Sequence, residues 1–320
     1  MDAVETAHRL ADELLFPVAL ETDAAGVIPL ASLDALADAG LYGAALPDDL
    51  EATCAVLEAL AGGCLSTAFV WMQHLGVLRA AMFCEDAHIR EEWSEPLARG
   101  DRRGGLALGG ALPGPPLITA HETDGGWLLD GSSPWLSGWG RIDVVHTGAR
   151  TDDERLVWMF VDARESDTLR VELQDLMTLR ATATVRADFD GHFAPDERVV
   201  SVAPFTPGAT PPEVLRIHAS LALGVAGRCC RLLGASPLDD ELDACRARLA
   251  ELDHERIAAD RADAGELAVR AAVVLMVHTG SRSILLDLHP QRLAREALFA
   301  SVYALRPASR DALLRRLGAA

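Results

Sequence analysis

The apolar positions of the first hundred residues recur at helical spacing. Val4, Ala7, Leu10 and Leu14 fall on one face up to Pro17, which predicts a helix closed by that proline. Ser32 reads as an N-cap, Leu33 and Leu36 share a face, and Gly40 ends that segment. Helical periodicity returns over 51–61, 65–83 and 86–98. From residue 104 onward the period changes to two. The runs "LALGG", "PLITAHE", "GWLLDG", "IDVVHTGAR", "RLVWMFVD", "LRVELQ" and "ATVRADFD" follow one another between Gly, Pro and Asp, the texture of an antiparallel sandwich or barrel. After the linker "FTPGATPP" (205–212) the helical period resumes over 212–233, 238–261, 264–286, 290–304 and 307–317. Pro237, Pro290 and Pro307 stand at segment starts, where a missing N–H costs nothing.

The pattern therefore predicts an α+β chain in three parts. These are an N-terminal helical domain (1–103), a middle antiparallel β domain (104–204) and a C-terminal helical bundle (205–320). Strands and helices do not alternate, so no doubly wound sheet is expected.

Composition narrows the function classes. Half of the 320 residues are apolar, enough for a large core, and the 29 basic residues are all arginine against 48 acidic ones, a net charge of -19. That balance repels nucleic acid and anionic membrane surfaces, and neither is an expected partner. The absence of lysine excludes Schiff-base chemistry and a GK[ST] phosphate loop. The six cysteines lie in helical segments without Cys-x-x-Cys or Cys/His spacing, and His146, His192 and His218 fall on different elements, so reduced core thiols and no metal are expected. Charges interrupt the apolar stripe of "MDAVETAHRLADELL", and no window approaches the roughly 18 apolar residues of a membrane span, so a cytoplasmic protein is expected. There is no Gly-x-Ser-x-Gly elbow, and the glycine pairs at 104–105 and 109–110 do not complete Gly-x-Gly-x-x-Gly. They read as the start of a strand, a bulge, or a close approach of backbone to a ligand.

One stretch stands out. Gly131–Asp143, "GSSPWLSGWGRID", holds two of the six tryptophans. Pro134 stiffens the approach, and Trp135 followed two residues later by Ser137 sets a flat apolar wall beside a hydroxyl, which suits a planar heteroaromatic cofactor. The same spacing also fits Trp135 and Trp139 as plugs between the β block and the helices.

Taken together with wording along the whole chain, this order resembles the acyl-CoA dehydrogenase superfamily of flavoproteins. The similar segments are "LADELLFPVALETDAAGVIPLASLDALADAGLYGAALP", "GWLLDGSSPWLSGWGRIDVVHTGAR", "RATATVRADFDGHFAPDERVV" and "HPQRLAREALFASVYALRPASRDALL". The resemblance implies that Trp135 matches the tryptophan stacked near the flavin ring and that Ser137 matches the Ser/Thr hydroxyl or amide bonded to flavin N5, where a donor would stabilise the reduced ring. It places the strand cupping the pyrimidine end near Leu108 and Gly109. FAD is the implied cofactor, with FMN, reduced flavin or an empty site as alternatives.

The chain departs from the family at three places. Laying Arg295, Glu296 and Ala297 on the family's Arg-Asp-Ala helix brings Ala304 onto the catalytic glutamate, and a methyl group takes no proton. Members with the base on an earlier helix point to the neighbourhood of Glu213 and His218, whose plain alternatives are a solvated helix start and a packed ring. "GGALPGPP" replaces a segment that contacts CoA, and the C-terminal domain is shortened where relatives reach a neighbouring FAD pyrophosphate. "GSRSILLDLHPQRLAREALF" also resembles the reduced-flavin monooxygenase branch, which needs no such base.

The resemblance thus implies a flavin-dependent oxidoreductase on an acyl substrate linked to CoA or a carrier protein, or on a related small molecule, in bacterial specialised metabolism. The alternatives are a reduced-flavin monooxygenase and a non-catalytic subunit beside an active homologue. A homodimer or homotetramer is implied.

Overall fold

The computed structural model describes residues 2–44, 49–208 and 210–319. The first helices are α1 (Ala3–Leu10) and α2 (Phe16–Ala25), joined without a break by a π turn at Ala11–Leu15. The expected stop at Pro17 does not occur. The Phe16 N–H donates to Ala11 O across the widened turn, Pro17 sits in the first turn of α2 where its missing N–H leaves no gap, and Gly26 (φ 67°) ends the run. Then come α3 (Leu30–Asp38), α4 (Leu41–Ala44), α5 (Leu50–Gly63), α6 (Leu65–Met82) and α7 (Ala87–Arg99). Ser32 is not a cap: α3 starts at Leu30, and the Ser32 N–H donates to Pro29 O one turn inside.

Eight strands form one sheet: β1 (Gly104–Ala107), β2 (Ile118–Thr123), β3 (Gly126–Leu136), β4 (Val144–Arg150), β5 (Arg155–Asp162), β6 (Leu169–Leu173), β7 (Val185–Pro195) and β8 (Val199–Pro204). Their order is β6-β7-β3-β2-β4-β5-β8, with β1 beside β4. The expected antiparallel block holds except around β4, which pairs parallel with β1 throughout and with β2 at Thr119 and Arg150. The sheet is therefore mixed, because β1 and β2 both reach β4 through long connections rather than hairpins. The sequence pattern misses β8, an edge strand with no fully buried residue.

The C-terminal helices are α8 (Pro212–Leu233), α9 (Pro237–Ala250), α10 (Ile257–Thr279), α11 (His289–Val302) and α12 (Pro307–Arg316). The single helix expected over 238–261 is broken at Leu252 (φ 51°), and Asp253 accepts the N–H groups of Glu255 and Arg256. The segment expected over 264–286 accordingly begins at Ile257 and ends at Gly280.

The two helical blocks share one core, in which Leu57, Leu60 and Trp71 pack with Leu221, Val225, Ala268 and Leu293. Helices α5 and α8 cross closely: a Cβ on Gly224 would stand 2.4 Å from Glu58 O. The sheet keeps its own core around Ile118, Leu129, Val157 and Ala187, and Val77, Trp93, Val144 and Phe160 join it to α6 and α7. His74 is a further tether. Its Nε2 donates to Leu97 O (3.1 Å) and its Nδ1 accepts the Gly104 N–H (3.1 Å), so the ring is neutral and burial pulls its pKa down to about 3.

Candidate functional site

Trp135 is the last residue but one of β3. Along β3 the register with β7 slips between Ser133 and Leu136, so an extra residue bulges out at Pro134 and Trp135. Pro134 has no N–H for the ladder, which makes it tolerable there. The bulge leaves the Trp135 indole 60 % exposed between Ser133 and Leu136, which are 1 % exposed each. Trp139 packs against the sheet core. An indole open to this degree is unusual for so large an apolar surface.

Behind it runs a chain of buried hydroxyls. Ser137 Oγ lies 2.7 Å from Thr184 Oγ1, Thr184 Oγ1 lies 2.8 Å from Thr182 Oγ1, and Thr182 Oγ1 donates to Leu179 O at 2.8 Å. The Gly138 N–H donates to Thr182 O at 2.6 Å, so the segment after Trp135 is bound to the 179–184 turn by main chain as well. That turn is strained, since Leu179 (φ 55°) and Ala183 (φ 43°) both hold left-handed conformations without being glycine.

Leu108 and Gly109 lie at the start of the connection between β1 and β2. Leu108 is partly exposed. A Cβ on Gly109 would stand 2.6 Å from the Ile118 side chain and 3.3 Å from Ser132 O, so the close approach the glycine permits is to the protein's own β2 and β3. The connection is held from below by the buried Arg150, which donates to Gly110 O, Leu112 O and Gly114 O at 2.7–3.1 Å and stacks on Phe205 at 3.5 Å.

Ala304 lies after α11, at a turn with φ 48°. Beside it the Tyr303 hydroxyl accepts from Gln73 Nε2 (3.1 Å), and the Tyr303 ring packs on Phe69, Phe299 and His218. Burial, reinforced by the Arg261 and Arg306 charges, pulls the His218 pKa down to about 3, and its Nδ1 has no partner. A neutral imidazole with so weak a conjugate acid has little pull on a carbon-bound proton. Glu213 is exposed in the first turn of α8. The structure brings His218 to Tyr303 and leaves Glu213 in solvent.

Several residues at these places carry no motif. Arg150, Arg261, Thr182 and Thr184 were not readable as site residues, though an arginine inside the apolar run "VVHTGAR" and one inside "IAADRADAGELAV" are polar positions where a core period expects none. Over 234–262, where the resemblance implies a shortened segment, Arg246, Arg248 and Arg256 are paired with the chain's own Glu58, Asp260 and Glu251. All six cysteines are buried free thiols, and burial raises the pKa of Cys54, Cys229 and Cys245 well above the ordinary value. Among the described residues no group of three or more His, Cys, Asp or Glu side chains is placed to hold a metal, and no helix is long and apolar enough to cross a membrane.

Residues 2–101 match the model of the acyl-CoA dehydrogenase N-terminal domain. Over 239 residues, 69 % of this chain and 63 % of the relative, the sequence is 29 % identical to benzylmalonyl-CoA dehydrogenase of Aromatoleum aromaticum. It is 23 % identical to the short-chain specific acyl-CoA dehydrogenase of Rattus norvegicus over 61 % of this chain and 52 % of that one. The chain thus spans between half and two thirds of the length of these curated relatives. A glutaryl-CoA dehydrogenase from Mycobacterium smegmatis, solved with FADH2, superposes with a TM-score of 0.80 at 17 % identity over 99 % of this chain and 93 % of that one. Dibenzothiophene monooxygenase from Paenibacillus superposes with a TM-score of 0.79 at 16 % identity over 99 % and 97 %. At such identities the superpositions speak for the fold.

Proposed function

This chain belongs to the acyl-CoA dehydrogenase superfamily, and from that premise we propose that it is a flavin-dependent oxidoreductase with FAD as its cofactor. The proposed substrate is an acyl group carried by CoA or a carrier protein, or a related small molecule. The observation that carries the reading is the Trp135 indole, 60 % exposed between the half-buried Pro134 and the buried Leu136, with Ser137 two residues on. These residues fit the group: a flat apolar face for a tricyclic ring, a buried hydroxyl at its edge, and the apolar Leu108 and Met177 partly or largely exposed on neighbouring segments.

When bound, FAD supplies a two-electron carrier. The residues of this chain would do the rest: Trp135 covers one ring face and excludes water, Ser137 bonds the ring edge, and the connection from Leu108 and Gly109 lines the remaining side. The test is to denature the purified protein and identify the released small molecule by mass spectrometry. FAD is the expected product. Trp135→Ala is expected to weaken FAD binding at least tenfold and Ser137→Ala to weaken binding of the reduced form, FADH2; wild-type affinity in both would move the site elsewhere.

A second reading, a reduced-flavin monooxygenase, is favoured by the residues around the position of the missing base. Ala304 has no proton acceptor, His218 is held neutral with a pKa of about 3, and Glu213 stands in solvent. Oxygen uptake that depends on a separate flavin reductase supports this reading, whereas anaerobic bleaching by an acyl thioester supports the dehydrogenase. A protein that takes up no flavin would leave the non-catalytic subunit.

The proposed assembly is a homodimer or homotetramer through the C-terminal helices. Val273, Val277, Ile284, Leu286, Leu298 and Val302 are exposed apolar side chains on α10, α11 and the turn between them, more than a lone chain ordinarily shows to water. A cytoplasmic setting suits the six reduced thiols.

A further inference from the structure

The direction of the hydroxyl chain behind Trp135 follows from its inner end. Leu179 O can only accept, so the proton in the 2.8 Å contact with Thr182 Oγ1 is the threonine's. Thr182 has one hydroxyl proton, and the 2.8 Å contact with Thr184 must then be filled by the proton of Thr184. The same count assigns the proton in the 2.7 Å contact between Thr184 and Ser137 to Ser137. Reversing any link would set two oxygens face to face with no proton between them. The three side chains are 1 %, 5 % and 9 % exposed, so water is poorly placed to relieve such a clash. The Ser137 hydroxyl therefore meets its outer surroundings with lone pairs only: it accepts and does not donate.

This reverses the donor role that the resemblance implies for Ser137. An oxidised flavin presents a lone pair at N5, whereas the two-electron-reduced ring presents an N–H there. An oxygen that can only accept opposes the first and bonds the second. We infer that the chain Ser137–Thr184–Thr182–Leu179 O makes this site select reduced over oxidised flavin. The inference rests on the flavin reading above. It depends on Thr182 and Thr184, two residues that would never touch the ring and act by holding the Ser137 proton inward, as positioning residues.

The experiment measures the dissociation constants of oxidised FAD and, anaerobically, of FADH2 for the whole 320-residue chain, together with the midpoint potential of the bound flavin by spectroelectrochemistry. The wild type is expected to bind FADH2 at least tenfold more tightly, which raises the two-electron potential by about 30 mV over free flavin. Thr184→Val removes the acceptor of the Ser137 proton and is expected to erase that preference. Thr184→Ser keeps the chain and is expected to retain it. If Thr184→Val does not fold, Thr182→Val cuts the chain at its anchor on Leu179 O, and the preference is expected to shrink there too. Equal or tighter binding of oxidised FAD by the wild type, or an unchanged preference in the valine variants, overturns the inference and leaves the flavin site standing. Failure to bind either form removes both.

Discussion

Arg261 of α10 donates to the main-chain carbonyl of Tyr303 at 2.9 Å, and from the same nitrogen to Ala300 O at 2.9 Å. It is 0 % exposed and has no carboxylate partner among the described residues. The carbonyls at the end of α11, which carry the negative end of the helix dipole, take the place of an acid. Burial nevertheless lowers the arginine pKa to about 10. The guanidinium fixes where α11 ends, and hence where Tyr303 and Ala304 stand.

Arg261→Met is expected to lower stability by about 2–3 kcal/mol, because two buried carbonyls lose a charged donor. Arg261→Lys is expected to rescue only part, since the shorter lysine stem does not carry its nitrogen to the place of Arg261 Nη2 and the ammonium is the more strongly hydrated group. Urea unfolding of the three proteins checks both statements.

Acid is expected to destabilise the protein through its buried imidazoles. Burial pulls His74, His146 and His218 down to about 3, while in the unfolded chain each titrates near its ordinary 6.5. The unfolded state therefore binds more protons as pH falls from 6.5 toward 3. Stability is intact above that window and lost through it, at about 1.4 kcal/mol per pH unit for each ring. His146 has no partner for Nε2 and stacks on Trp158 at 4.5 Å, so His146→Phe keeps the packing and is expected to flatten the slope by one proton. Unfolding midpoints at pH 7.5, 5.5 and 4.5 measure it.

Arg150 holds the connection from β1 to β2 by three carbonyls. Arg150→Met is expected to cost about 3 kcal/mol and to speed amide exchange over residues 110–117 at least tenfold, with little change in the C-terminal helices. Hydrogen exchange read by mass spectrometry separates the local from the global effect.

Ala183 keeps φ 43° in the turn that carries Thr182 and Thr184. Glycine is at ease there, so Ala183→Gly is expected to gain up to about 1 kcal/mol in denaturant unfolding. Its unfolded chain is looser, which offsets part of the relief. An alanine variant of a left-handed glycine such as Gly26 is expected to move the other way.

The fold was largely legible. The period of three to four before residue 104, the period of two after it and the return to helix past 212 each follow from which faces are apolar, a property of neighbouring residues. The misses have local causes. The π turn that accommodates Pro17 leaves no mark in hydrophobicity, so the proline reads as a stop, and an edge strand such as β8 buries too little to mark itself in the pattern.

At the site, the amino-acid order by itself set Trp135 two residues before Ser137 as either a ring wall or a core plug, and the family resemblance laid Ala304 on the position of a carboxylate. The order also determined the succession of helix, strand and helix. The tertiary structure alone decided that the bulge at Pro134 turns the Trp135 indole outward and that β1 lies parallel to β4. It also decided that Ser137 meets Thr184, 47 residues on, and that Arg261 caps a helix ending 42 residues away. Periodicity says which face of an element is apolar but not which distant face it meets, and a hydrogen bond exists only once both partners have been brought together. The proton order that ties Ser137 to Leu179 O is a property of that meeting.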